Sequence, residues 1–150
     1  MPKSRRAHST HLSSCGLALL LQATALQVAA AELSHAGEDI VNTGNHLYQA
    51  KCAVCHGSSG KGDGPYANLL TARPSDLTLI SRRNDGEFPL WKIYETISAN
   101  EMVPAHGVRD MPIWGQELAA EAETLGLNEK SYIRGRVFSM IAYLLSIQQP

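Results

Sequence analysis

Residues 51–57 read KCAVCHG, and the chain of 150 residues contains only three cysteines, so two of them fall within one four-residue span. A histidine follows directly. Zinc would need four ligands in a closed tetrahedron. Beyond Cys52, Cys55 and His56, the chain downstream of residue 31 supplies no further cysteine and only His35, His46 and His106. Side chains on neighbours such as Cys55 and His56 also diverge, which makes joint chelation awkward. A thioredoxin-type dithiol belongs at the end of a strand in an alternating strand and helix pattern. No alternating or β-branched apolar run precedes Cys52.

C-x-x-C-H is the attachment signature of a c-type haem, and it uses all three residues. On a helix, sulfurs three positions apart share a face about one turn from each other. Both can then form thioethers to the two vinyl groups on one side of a macrocycle, and the adjacent imidazole can reach the iron. The sequence therefore predicts one haem c, covalent through Cys52 and Cys55, with His56 as an iron ligand.

The first 31 residues differ in character from the rest. They carry Lys3, Arg5 and Arg6 with no acidic residue, then an apolar run from Gly16 to Ala31 interrupted by Gln22 and Gln27. A spanning helix needs roughly twenty apolar residues. The shorter run ending in Ala29, Ala30 and Ala31 reads as a signal peptide cleaved before Glu32, with an uncleaved membrane anchor as the competing reading. Arg5-Arg6 lacks the hydrophobic residues expected directly after a twin-arginine pair. The LSSC stretch ending at Cys15 precedes the apolar run instead of following it, so Cys15 is incidental to lipid attachment. Two segments follow, a leader at 1–31 and one domain at 32–150, placed by export in the periplasm. Cleavage removes three of thirteen basic residues and none of fourteen acidic ones, leaving ten against fourteen. That acidic balance speaks against a nucleic-acid partner.

The domain reads as all-α. Ile40, Val41, Gly44, Leu47 and Tyr48 recur at helical spacing between Gly37 and Lys51, carrying the chain into Cys52. Ile133, Val137, Met140, Ile141, Leu144 and Leu145 do the same between Ser131 and Gln148. Gly44 would let this last helix approach the first closely, with Tyr48 packing nearby. Shorter helices are predicted at Leu90–Ser98, with Ile93 and Ile97 inward, and around Gln116–Leu125. The segment 57–89 is rich in Gly and Pro. It fails the phosphate-loop pattern, because Gly60-Lys61 is followed by Gly62 where Ser or Thr is required. A loop wrapping a flat ligand accounts for it better.

With these residues in view, the chain resembles the class I, monohaem cytochromes c of the bacterial periplasm. The resemblance is carried by Gly44 and Tyr48, CAVCHG at 52–57, GKGDGP at 60–65, HGVRDMPIWG at 106–115 and the C-terminal amphipathic helix. It implies N- and C-terminal helices packed together around one covalently bound haem. It also implies a Pro65 carbonyl accepting the Nδ1 hydrogen of His56, and Met111 as the second iron ligand. PSDL at 74–77 and RRNDGEFP at 82–89 resemble subunits and carriers linked to respiratory chains.

A thioether is soft and neutral and favours reduced iron, which suits Met111 to the distal role; Pro112 stiffens the loop behind it. Met102 and His106 compete for the position, whereas Met140 sits in the periodic helix and reads as core. Trp91, Trp114 and Tyr94 read as core before haem contacts, and Arg82, Arg83, Lys92 and Arg109 as solvated charges. The implied function is a single-electron carrier, not an enzyme, between a redox-protein donor and acceptor of a respiratory or dehydrogenase chain. A haem enzyme or ligand sensor with an open sixth position, and a cytochrome subunit docked to a dehydrogenase or oxidase, are the alternatives. Peripheral membrane association is compatible with the last.

Overall fold

The structure is a computed structural model that describes residues 14–98 and 114–150. Among these, every regular element is helical: α1 (Ser14–Lys51), α2 (Ala53–His56), α3 (Leu90–Ser98), α4 (Trp114–Thr124) and α5 (Glu129–Ser146), with single 3-10 turns at 67–69, 77–79 and 82–84. The all-α expectation is met. The chain divides at Gly37, and the part from Glu38 onward is one compact unit. The part up to Gly37 is helical over its described residues. Helix α1 runs through the expected junction at Ala31 and Glu32. Among the described residues no helix is long and apolar enough to cross a membrane.

The core of the compact unit draws on four helices. Tyr48 comes from α1, Ile97 from α3, Trp114 and Leu118 from α4, and Val137, Met140, Ile141 and Leu144 from α5. The α5 residues recur at i, i+3, i+4 and i+7, the stripe of a helix buried along one side. Met140 is core, as its spacing predicts. Helix α3 matches its predicted bounds, while α4 and α5 each begin two residues before the predicted start. Asn128 explains the earlier start of α5, since its side chain accepts from Ser131 N at 3.0 Å and caps the first turn.

Helices α1 and α5 meet at Gly44. A Cβ there would run into the backbone carbonyl of Ser139 and touch the Tyr143 side chain, so no larger residue permits this approach. One turn further on, the Tyr48 and Tyr143 rings lie 5.1 Å apart in a tilted pair. The close packing of N- and C-terminal helices expected from Gly44 and Tyr48 is what the backbone shows.

The end of α5 holds the loop that crosses the site. Gln148 accepts from Ser81 N at 2.9 Å and donates to Leu77 O at 2.8 Å, and Gln149 N donates to Thr78 O at 2.8 Å. Asp76 caps the turn at 77–79 by accepting from Thr78 N and Oγ1. Residues 76–81 are thereby fixed by hydrogen bonds as well as by the burial of Thr78 and Ile80 and the packing of Leu77 against the core.

Candidate haem site

The helical path of α1 continues past Lys51 into the cysteine motif. Cys52 N donates to Tyr48 O at 2.8 Å, Cys55 N and His56 N donate to Cys52 O at 3.1 and 2.9 Å, and Gly57 N donates to Ala53 O at 2.9 Å. This winding places Cys52 and Cys55 one turn apart on one side, the arrangement the motif predicts. Neither forms a disulfide. Cys52 packs with Leu47 and Ala53 against the core. Burial pushes its thiol up to about 12, with Lys51 opposing and Cys55 adding to the rise.

Tyr48 ties this turn to the core. Its hydroxyl donates to Gly57 O at 2.6 Å. Burial raises the hydroxyl's pKa far above its ordinary value, with Cys52, Tyr143 and Asp63 contributing, so the group keeps its proton and remains a donor.

The loop after the motif binds back onto it through backbone alone. Gly62 N donates to His56 O at 2.8 Å, Gly64 N to Cys55 O at 3.1 Å and Tyr66 N to Val54 O at 2.9 Å. These three donors satisfy carbonyls that the short helix α2 leaves without intrahelical partners. Gly62 has φ +74°, and a Cβ there would strike the Pro74 carbonyl. Its absence lets residues 74–77 run alongside, where Leu77 N donates to Gly60 O at 2.6 Å.

That close run brings a backbone acceptor to His56. The Nδ1 of His56 stands 3.2 Å from Ser75 O. Pro65 lies between Gly64 and Tyr66, whose amides hold it along the Cys55 and Val54 carbonyls. Ser75 crosses over Gly62, beside the His56 backbone. A carbonyl can only accept, so Nδ1 carries the proton and Nε2 is the nitrogen left unprotonated in the neutral ring, the form that ligates a metal.

Met111, Met102, His106, Arg109 and Pro112 lie outside the described residues. Trp114 is core, and Tyr94 is half-buried. Trp91 departs from the core reading at 64% exposure. It forms an aromatic group with Tyr94 and Phe138, ring centroids 5.3 to 6.3 Å apart. Arg83 donates to Asp76 O at 2.6 Å, and Arg82 and Lys92 are exposed. Sequence reasoning missed Ser75, although PSDL was singled out, because a backbone acceptor leaves no signature in residue type. It also missed Lys51, whose partners Glu117 and Glu121 are spaced i and i+4 on a predicted helix.

Two thiols outside any disulfide, one turn apart with the first in apolar surroundings, and an imidazole with its proton held on Nδ1 make a donor set that fits a covalently attached haem c. No curated protein and no solved structure matches the chain. Residues 39–125, which include CAVCHG, match the family described as cytochrome c oxidase, cbb3-type, subunit III. The match covers more than half of the sequence and implies covalent haem c, and the chain therefore belongs to this family of c-type cytochromes.

Proposed function

We propose that the protein is a periplasmic monohaem cytochrome that passes single electrons between a donor and an acceptor of a respiratory or dehydrogenase chain. The observation that carries this reading is the CAVCH turn, wound as one helical turn with both thiols outside any disulfide and His56 Nδ1 protonated toward Ser75 O. When bound, the haem supplies one-electron chemistry between Fe(III) and Fe(II). Cys52 and Cys55 would attach it, His56 would ligate the iron, and Met111 would supply a second protein ligand, so that the group would exchange electrons without binding a substrate. Carbon monoxide tests this: the reduced protein should bind it poorly, and ready binding would favour a haem enzyme or ligand sensor.

The description of the family as an oxidase subunit favours a second reading, in which this cytochrome is docked to an oxidase and hands electrons on within it. Size-exclusion chromatography of native extracts separates the two. Elution near the mass of the free chain supports a diffusing carrier, and co-elution with a larger haem complex supports a subunit.

We assign residues 1–31 to a cleaved leader, on the strength of the basic start and the short apolar run closing in Ala29 to Ala31. Intact-mass analysis should find the chain starting at Glu32 with one haem added. A haem-loaded protein that retains the leader would point to an anchor.

A further inference from the structure

Gln148 lies two residues beyond the end of α5, and both ends of its side-chain amide are engaged. Its Oε1 accepts from Ser81 N at 2.9 Å, and its Nε2 donates to Leu77 O at 2.8 Å and to Leu144 O at 2.6 Å. An amide N–H can only donate and a carbonyl can only accept, so these three partners fix which end of the side chain is which. Leu144 O is among the last four carbonyls of α5, which the helix leaves without intrahelical donors. One side chain therefore closes the end of α5 and grips residues 77–81 at both ends. Gln149 N adds a bond to Thr78 O at 2.8 Å.

The gripped segment continues directly from the acceptor of His56. Ser75 O stands 3.2 Å from Nδ1, and its place is set by what lies on either side of it. Upstream, Pro74 runs against Gly62, where a Cβ would strike the Pro74 carbonyl and come within 3.3 Å of Ser75 C. Downstream, Asp76 O accepts from Arg83 Nη2 at 2.6 Å. Leu77 is then bonded through both of its main-chain groups, its N to Gly60 O at 2.6 Å and its O to Gln148. The Gly60 bond ties Leu77 to the loop after the motif. Gln148 ties the same residue to the end of α5, whose Leu144 is part of the core.

We propose that Gln148 is a positioning residue that, by holding residues 77–81 on α5, keeps the Ser75 carbonyl on His56 Nδ1 and so tunes the imidazole as an iron ligand. This rests on the reading that His56 ligates haem iron. An acceptor on Nδ1 raises the basicity of the ligating nitrogen, and a more basic ligand favours Fe(III) over Fe(II). Loosening Ser75 should therefore raise the reduction potential.

The test uses the covalent holoprotein. Gln148→Met keeps the length of the side chain and removes all three bonds. Gln148→Asn keeps the amide but is one methylene too short to hold Leu77 and Ser81 together, and it serves if Gln148→Met matures too poorly to measure. Both are neutral, so no new charge acts on the potential. In redox titration against a reference couple, each should move the equilibrium toward the reduced form by about three- to tenfold, at or below the loss typical of outer-sphere partners at a metal. In the reduced protein labelled with nitrogen-15 histidine, the His56 Nδ1 hydrogen should exchange with deuterium about tenfold faster or more, as local opening becomes easier. Asn128→Ala removes the cap at the opposite end of α5 and controls for general loss of stability. Its melting temperature should fall while the potential and the Nδ1 exchange rate stay as they were. An unchanged or lowered potential in the Gln148 variants would overturn the proposal, as would Nδ1 exchange at the unmutated rate or an equal shift in Asn128→Ala. Full yield of covalent holoprotein in His56→Ala would instead remove the reading on which it rests, so the two fail by different measurements.

Discussion

The crossing of α1 with α5 and the turn-and-loop region at 52–77 lie one helical turn apart, yet they are held by different forces. At the crossing, Gly44 admits the Ser139 backbone, and Tyr48, Val137, Met140, Ile141 and Leu144 are packed side chains. In the loop, the fastenings are main-chain amides on main-chain carbonyls, from Gly62, Gly64, Tyr66 and Leu77. Packing tolerates changes that preserve volume. A backbone ladder tolerates most side chains but few changes of φ. Tyr48 belongs to both regions, with its ring in the core and its hydroxyl on Gly57 O.

The largest expected effect falls on the loop side. Cys52→Ser, Cys55→Ser and His56→Ala each remove one attachment of the haem, and covalent holoprotein should drop to below about a tenth of the unmutated yield, because cofactor binding and folding are coupled. Peroxidase-active staining of denaturing gels, normalised to total chain, measures it. Retention of full yield in His56→Ala would separate iron ligation from maturation and break the assignment of His56.

Two glycine replacements sharpen the contrast. Gly44→Ala gains about 1 kcal/mol of helix propensity, but its methyl meets backbone that no rotamer change can move. We expect a net loss of about 2 kcal/mol in stability, read by denaturant unfolding, with the haem spectrum unchanged. Gly62→Ala forces a φ of +74° on a residue with a Cβ and pushes at Pro74. Its cost is of similar size, about 1–3 kcal/mol, but it falls on the segment that carries Ser75. The histidine ring should then lose its Nδ1 acceptor, and the reduction potential should shift. Equal spectra and potentials in both variants would mean that the loop does not orient His56.

The same contrast explains what could be read from sequence. Core positions announce themselves through periodicity, so Val137, Met140, Ile141 and Leu144 were identifiable as one stripe, and Leu90–Ser98 could be bounded. The CAVCH turn was legible because its chemistry demands those residue types at that spacing. Backbone acceptors carry no such mark. The resemblance pointed to the Pro65 carbonyl, and only the path of 74–77 over Gly62 shows that Ser75 O also comes to His56 Nδ1. Lys51 was hidden for a related reason, since a cation beside a cysteine motif reads as a solvated charge until α4 brings Glu117 and Glu121 to it.

Tyr48→Phe tests the residue shared by both regions. The ring keeps its place against Tyr143, and Gly57 O keeps its bond from Gly60 N. Only one hydrogen bond is lost, so the cost should be about 1 kcal/mol. A loss as large as that of Gly44→Ala would show that the two regions are not separable.

The smallest effect is a pH dependence confined to the loop. Asp76 has its carboxyl held below the ordinary carboxylate range, first by the hydrogen bond from the Thr78 hydroxyl and then by the Thr78 amide, with Arg83 and Lys61 helping and burial opposing. A group whose folded-state pKa is depressed adds stability above its unfolded pKa and loses that contribution as pH falls through the folded value. The Asp76 contribution is therefore complete at neutral pH and disappears on acidification through and below the usual range for aspartate. Asp76→Asn should melt below the unmutated protein at pH 7, by no more than about 4 °C, and the gap should close as the pH is lowered. Because the packed crossing contains no carboxylate among its core residues, Gly44→Ala should keep its deficit over the same range. A gap for Asp76→Asn that persists unchanged into acid would mean that the cap at 77–79 works through shape alone.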